Sequence, residues 1–284
     1  MTETCAEYWT CPTCKVAVAT PFCSTCGEKH KDPRDFTLHG VAAMAYNAFS
    51  PVDGKLVRSI LRLVRYPGRL TVAFQRGQRM PYMGPFQLFL MINVFFFAVQ
   101  SAGKVPVFTQ PLADRLKDND MWIPFSRPLT EAYLAKTGQT LAQFMPVFDQ
   151  AMGVNAKSLI GLMVPPFALL LPLVMWRRPQ PLAVNMVFSL HFYAFLLLLL
   201  STPLIVTEIS ALLGGPGVWS QPVDDALSIT WLLSSVVYLY FAIGRVYETR
   251  GLTRVFQAAV LGSAVAGIFL VYRFVLLPIT LYTM

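Results

Sequence analysis

The sequence predicts an all-α membrane protein: about five transmembrane helices with a small N-terminal zinc ribbon and an amphipathic cytoplasmic connector. Three observations carry this. The 284 residues are 55% hydrophobic and only 13% charged, with a mean hydropathy of +0.52, which suits a multi-pass chain better than a soluble domain. Five stretches, at residues 84–102, 159–176, 184–206, 226–244 and 255–277, are long and apolar enough to cross a bilayer. Lipid offers their backbone groups no outside partner, so a helical bundle is the economical arrangement. Ahead of all five stand two Cys-x-x-Cys pairs, Cys11–Cys14 and Cys23–Cys26.

The head, residues 1–30, follows from those pairs. A two-residue spacer lets two thiolates converge on one ion, and Gly27 permits the left-handed turn that aims backbone N–H groups at a sulfur. Cys11, Cys14, Cys23 and Cys26 are therefore the predicted ligands of a tetrahedral, structural Zn²⁺. Iron is the alternative, since rubredoxin-like sites use similar pairs. Four thiolates close the coordination sphere, so such a metal would hold a recognition surface and not activate water. Val16, Val18 and Phe22 are the candidate apolar patch, too small to fold the head without metal. Cys5 reads as a spare thiol, and His30 and His39 read as surface residues.

Residues 31–83 form the connector. Asp53-Gly54-Lys55 opens its clearest helix, which runs toward Tyr66-Pro67-Gly68. Lys55, Arg58, Arg62, Arg65 and Arg69 recur at helical spacing on one face, and Leu56, Val57, Ile60, Leu61 and Val64 cover much of the remainder. Pro67 is expected to re-aim the chain before Arg69. The pattern suits a helix lying in the membrane plane with its basic side on anionic headgroups, where each cation is worth about 1 kcal/mol. Nucleic acid is disfavoured by the adjacent apolar span and the lack of aromatic interleaving.

The remaining residues, 84–284, form the five-span bundle, entered through the break at Pro81 to Pro85. An outside loop at 103–157 is predicted to carry helices near 129–136 and 141–152 that cap the bundle. Pro165, Pro166 and Pro172 predict a kink or partial unwinding in the second span. His191 lies about 10 Å into the third span at 1.5 Å per residue, and an ionisable group at that depth is a functional candidate. Gln87 and Asn93 on the first span are its conceivable partners. Asn185, Ser189 and Tyr193 share one helical face, while His191 lies on another with Phe188 and Phe195. Arg273, near the outer end of the last span, is expected to snorkel to headgroups, with Glu208 as a conceivable partner.

Charge sets the orientation. The head, the connector and the two turns on the same side carry 16 Lys and Arg, against six in the opposite loops. The positive-inside rule then places the N-terminus in the cytoplasm and the C-terminus outside, as for a bacterial inner-membrane protein. No apolar segment follows a basic start in residues 1–83, so the first span is expected to act as an uncleaved insertion signal. A reducing cytoplasm favours metal over disulfides at the paired cysteines.

Three blocks carry a family resemblance. They are the cysteine pairs; Tyr66-Pro67-Gly68 with Gln75 to Arg79 and Pro85 to Leu90; and Pro166 to Leu170 through Trp176-Arg177-Arg178 to Val187 to Phe195. Together they resemble an uncharacterised bacterial family of zinc-ribbon, multi-pass membrane proteins known only as a domain of unknown function. The resemblance implies a cytoplasmic zinc ribbon, several spans and no assigned reaction. Asn185 and Tyr193 stand where that family's pattern carries histidines, so a three-imidazole site is not implied here. The layout is also loosely similar to envelope lipid-transport proteins that carry zinc ribbons.

Function narrows only in class. Walker A, G-x-S-x-G and H-E-x-x-H motifs are missing, which disfavours a membrane enzyme. The leading expectation is a scaffold or regulatory protein that docks a protein partner or anionic lipid through the ribbon and basic helix. The alternative is a small-molecule or lipid transporter using the bundle interior around His191.

Overall fold

A computed structural model describes residues 8–28, 30, 54–103, 108–118, 120, 122–212 and 221–284. Cys5, His39 and the whole connector ahead of Gly54 lie outside these described residues. About 74% of the described residues are helical, and almost none of them are in strands. Two short strands, β1 (Trp9–Thr10) and β2 (Ala17–Val18), pair antiparallel with Trp9 opposite Val18. Two helices follow, α1 (Lys55–Arg65) and α2 (Arg69–Gln75). Then come α3 (Pro85–Gly103), the single turn α4 (Leu112–Arg115), α5 (Ile123–Thr137) and α6 (Leu141–Leu159). A 3₁₀ turn (Ile160–Met163) leads into α7 (Val164–Val174), and α8 (Leu182–Leu212), α9 (Gln221–Val246) and α10 (Gly251–Thr283) complete the chain.

Among the described residues, five helical segments are long and apolar enough to span, which matches the expected number. The second differs in length from the expectation. The helix anticipated at 141–152 does not end in a loop but runs on, so that Leu141–Val174 forms one 34-residue rod. At 1.5 Å per residue this is about 50 Å, well beyond a hydrocarbon core of about 30 Å, so its first part must stand clear of the acyl chains. The polar residues that looked like loop have partners at that end. Lys157 Nζ donates to Ser101 at 2.9 Å, and Asn155 Nδ2 donates to Thr280 and Thr283 at 3.1 and 3.0 Å. The expected distortion is present: the 3₁₀ turn sits just ahead of Pro165 and Pro166, which cannot donate to the preceding turn.

The long helix α8 is the axis of the bundle. In its most apolar stretch 72% of residues are buried by protein, against 33–39% in the other four spans. Helices α3 and α7 lie along it, and α9 pairs with α10 where Gly262 leaves room for Val236. Aromatic rings tie the layers together. Phe167 of α7 stacks on Phe192 at 5.1 Å, and Phe195 of α8 stacks on Tyr238 of α9 at 3.8 Å. At one end the loop after α3 caps the bundle: Phe108 packs among Phe96, Phe97, Phe269 and Tyr272, and Trp122 and Phe125 meet Phe274.

At the other end the connector does something the sequence did not suggest. The chain turns at Gly68 (φ +79°), and α2 then drops into the bundle mouth with Leu70, Thr71, Ala73 and Phe74 buried against α8 and α9. A Cβ at Gly68 would lie 2.8 Å from the carbonyl oxygen of Ala242, so both its backbone angle and this close approach require glycine. Arg245 Nη1 closes the turn by donating to the Pro67 carbonyl at 2.6 Å.

Candidate metal centre

The two cysteine pairs fold as a matched set of knuckles. Cys11 N–H donates to Val16 and Lys15 N–H to Cys11, while Cys23 N–H donates to Glu28 and Gly27 N–H to Cys23. Each knuckle ends on a left-handed residue, Gly27 at φ +74° as expected and Lys15 at φ +65°. The Lys15 turn carries a cost that glycine avoids, and its counterpart position in the second knuckle is glycine.

These turns bring the four sulfurs together. Cys11 and Cys26 lie 3.4 Å apart, as do Cys14 and Cys23, and all four ligand atoms fall within 4.8 Å of one another. A tetrahedral ion with metal–sulfur bonds of about 2.3 Å places its sulfurs about 3.8 Å apart, so the cluster is close enough to hold a metal ion. The thiols are electrostatically unequal. Burial raises the Cys23 thiol, but N–H groups of Cys26 and Thr25 and the sulfurs of Cys14 and Cys26 outweigh it and hold it at about 6. The Glu28 N–H favours the Cys26 thiolate, yet burial and the other three sulfurs push it up to about 12. Thiolates this close repel one another, and a cation placed between them removes that repulsion.

The apolar support differs from the expected one. Val18 is buried, but Val16 and Phe22 are exposed. Trp9 packs instead against the cluster, donates to the Thr20 carbonyl at 2.8 Å and meets His30 edge-on at 5.0 Å. His30 is thus an exposed residue resting on Trp9 and is not among the grouped ligand atoms.

A residue that sequence reasoning missed joins this head to the bundle. Glu28 is 1% exposed, and its carboxylate accepts the Thr13 hydroxyl at 2.7 Å, the Arg79 N–H at 3.1 Å and the Met80 N–H at 3.1 Å. Gln78 Nε2 adds a bond to the Pro12 carbonyl at 2.8 Å. The head therefore sits on the loop between α2 and α3. A buried carboxylate is tolerated when its oxygens are satisfied, as here.

The basic residues divide between two helices. Lys55, Arg58, Arg62 and Arg65 lie on α1, which ends before Pro67, whereas Arg69 opens α2. Arg62 and Arg69 flank the Tyr66 ring at 5.3 and 4.9 Å, and Arg62 Nε also donates to Tyr82 at 3.1 Å. Ser59 and Leu63 form the buried face of α1, with Ser59 accepting the Met83 N–H at 2.9 Å. Val57, Leu61 and Val64 form a separate exposed stripe beside the arginines.

His191 is buried at 5% exposure, with Nδ1 2.9 Å from the Thr71 hydroxyl. That partner comes from α2, not from the first span, where Gln87 and Asn93 are half-buried. The separate face carrying Asn185 is served by the residue just after α9: Tyr247 donates to Asn185 Oδ1 at 2.7 Å, and Ser189 donates back to the Asn185 carbonyl at 2.8 Å. Arg273 does not snorkel freely. It is half-buried beneath the capping loop, donates to Gln110 at 3.1 Å, and its carbonyl accepts Arg115 Nη2 at 2.7 Å. Arg115, which nothing in the sequence singled out, is the largest fully buried side chain among the described residues. Burial, and to a lesser degree the Arg273 charge, lower it to about 10, so it stays protonated at neutral pH.

No curated protein matches the chain, and no solved structure does. One family model does match, described as a protein of unknown function (DUF3667), over residues 53–97. That stretch spans α1, α2, the loop on which the head sits and most of α3.

Proposed function

We propose that this is a bacterial inner-membrane scaffold or regulatory protein that reads the cytoplasmic membrane surface. In this reading a structural Zn²⁺ is held by Cys11, Cys14, Cys23 and Cys26 and shapes a head able to receive a protein partner. The same head is fastened to the bundle through Glu28. Helix α1 rests at the interface, with Val57, Leu61 and Val64 toward acyl chains and Lys55, Arg58, Arg62 and Arg65 toward anionic headgroups. Positive-inside charge puts these parts in the cytoplasm and the C-terminus outside.

The observation that carries the reading is the exposure of α1. Val57, Leu61 and Val64 are 62%, 63% and 50% exposed and lie at i, i+4 and i+7, so they form one stripe. An apolar stripe left bare next to a row of arginines is the design of an interfacial helix, not of a solvated one. The transport alternative has less behind it. Thr71 occupies the hydrogen-bonding side of His191, and Leu63, Phe188, Phe192 and Tyr238 pack around the pair without room for a water molecule.

The test is hydrogen–deuterium exchange on the full protein in nanodiscs of phosphatidylcholine with and without phosphatidylglycerol. Amides of α1 are expected to exchange more slowly in the anionic discs, and a K55Q/R58Q/R62Q/R65Q variant is expected to lose that dependence. Equal exchange in both lipids for the wild-type protein would refute the lipid-reading role.

A further inference from the structure

Beside α2, which plugs the bundle mouth, and apart from both the cysteine cluster and α1, a cavity of about 310 Å³ opens where three chain segments meet. The end of α2 supplies Gln75 and Arg76, the α7–α8 turn supplies Arg178 and Gln180, the last turn of α9 supplies Arg245, and the turn after it supplies Glu248. Its walls are fixed without any occupant. Gln75 Nε2 donates to Gln180 Oε1 at 3.1 Å, Arg245 Nη1 is anchored on the Pro67 carbonyl, and Tyr247 behind them is bonded to Asn185.

The charges around this cavity do not balance. Three guanidinium groups line it with one carboxylate, and that carboxylate, Glu248, is held by Arg178 at 3.2 Å. The Arg76 side chain has no hydrogen-bond or ionic partner among the described residues, and Arg245 spends only one nitrogen on Pro67. Guanidinium groups converging from separate segments present forked N–H donors, which suit the oxygens of a phosphate. The volume matches the lower end of small-ligand sites, enough for a phosphate ester with its attached glycerol. The cavity also lies at the bundle end that carries the cysteine head, where headgroup phosphates of a surrounding bilayer stand.

We propose that this cavity is a phosphate-ester site, formed by Arg76, Arg178 and Arg245, that takes the headgroup phosphate of an anionic lipid or a free phosphate compound. It rests on the membrane reading above but not on the lipid contact of α1, and the two are separable by variant. Neutralising Arg76 and Arg178, with Arg245 left in place on Pro67, leaves the seat of α2 and the head untouched, because Arg76 and Arg178 are exposed and hold neither.

The experiment is native mass spectrometry of the full protein released from phosphatidylcholine nanodiscs containing phosphatidylglycerol, with thermal melting as a check on folding. Wild-type protein is expected to retain phosphatidylglycerol, and R76Q/R178Q to retain roughly tenfold less, as expected for losing two charge-assisted contacts at an exposed rim. R76K/R178K, which keeps the charge but not the fork, should fall between them. R58Q/R65Q on α1 should leave this retained lipid in place. Exchange protection of residues 75–76 and 178–180 by inorganic phosphate or glycerol phosphate, with no phosphatidylglycerol retained, would support the site and identify a soluble source. If neither lipid retention nor phosphate protection changes in folded R76Q/R178Q, the site is overturned.

Discussion

Replacing Glu28 by alanine tests how the head is attached. The wild-type carboxylate accepts three hydrogen bonds, from Thr13 within the head and from the Arg79 and Met80 amides across the junction. At about 1 kcal/mol net for each of the two bonds that cross the junction, below the range for fully buried charged bonds because water can rehydrate the loop after release, the docking loss is about 2 kcal/mol. That corresponds to a shift of roughly 30-fold in the docking equilibrium. In the full protein, hydrogen exchange at Arg79 and Met80 should accelerate by roughly the same factor while the spans keep their protection. Metal content should not change, because the Glu28 group that bonds to Cys23 is the backbone carbonyl, which alanine retains. Glu28→Gln, which keeps one good acceptor, should lie between the two. Unchanged exchange at Arg79 and Met80 in Glu28→Ala would refute the reasoning, and so would loss of metal together with docking.

The plug and the cysteine cluster give two further predictions. Thr71→Val strands a buried imidazole nitrogen and should destabilise the detergent-solubilised protein by about 1–3 kcal/mol, whereas Thr71→Val/His191→Leu together should be close to neutral; a cycle without coupling energy would contradict the observed bond. Chelation, or Cys23→Ser/Cys26→Ser, should remove one equivalent of metal and unfold the head with the span helicity unchanged. The affinity for that metal should fall as pH falls, because protons compete for the same sulfurs; pH-independent retention would contradict thiolate ligation.

The fold was legible because its strongest signals are local. Spans declare themselves by length and apolarity, and paired cysteines by spacing, so the helix number and the four clustered sulfurs follow directly. What the sequence hid depends on contacts between distant residues. Glu28 looks like any acid on a small polar head, and its importance comes from amides 51 and 52 residues away. Thr71 sits in a stretch that reads as surface connector, yet Gly68 turns it into the bundle, where it meets a histidine 120 residues further on. Arg115 and Arg273 each look like outside or interfacial cations, and only the folded cap puts one guanidinium on the other's backbone carbonyl. Helical phase did separate His191 from Asn185, but phase alone does not name the neighbours. On α1, periodicity found the basic face and missed that Ser59 and Leu63 would be the buried side, leaving Val57, Leu61 and Val64 bare.

That bare stripe is the point on which the account stands. The most direct measurement is photo-crosslinking in native membranes, with p-benzoylphenylalanine placed at Leu61 and, as a control, at Arg65. Leu61 is expected to yield adducts carrying the mass of phospholipid, and Arg65 to yield few or none. A Leu61 probe that captures only water-exposed protein, or no lipid at all, would contradict it.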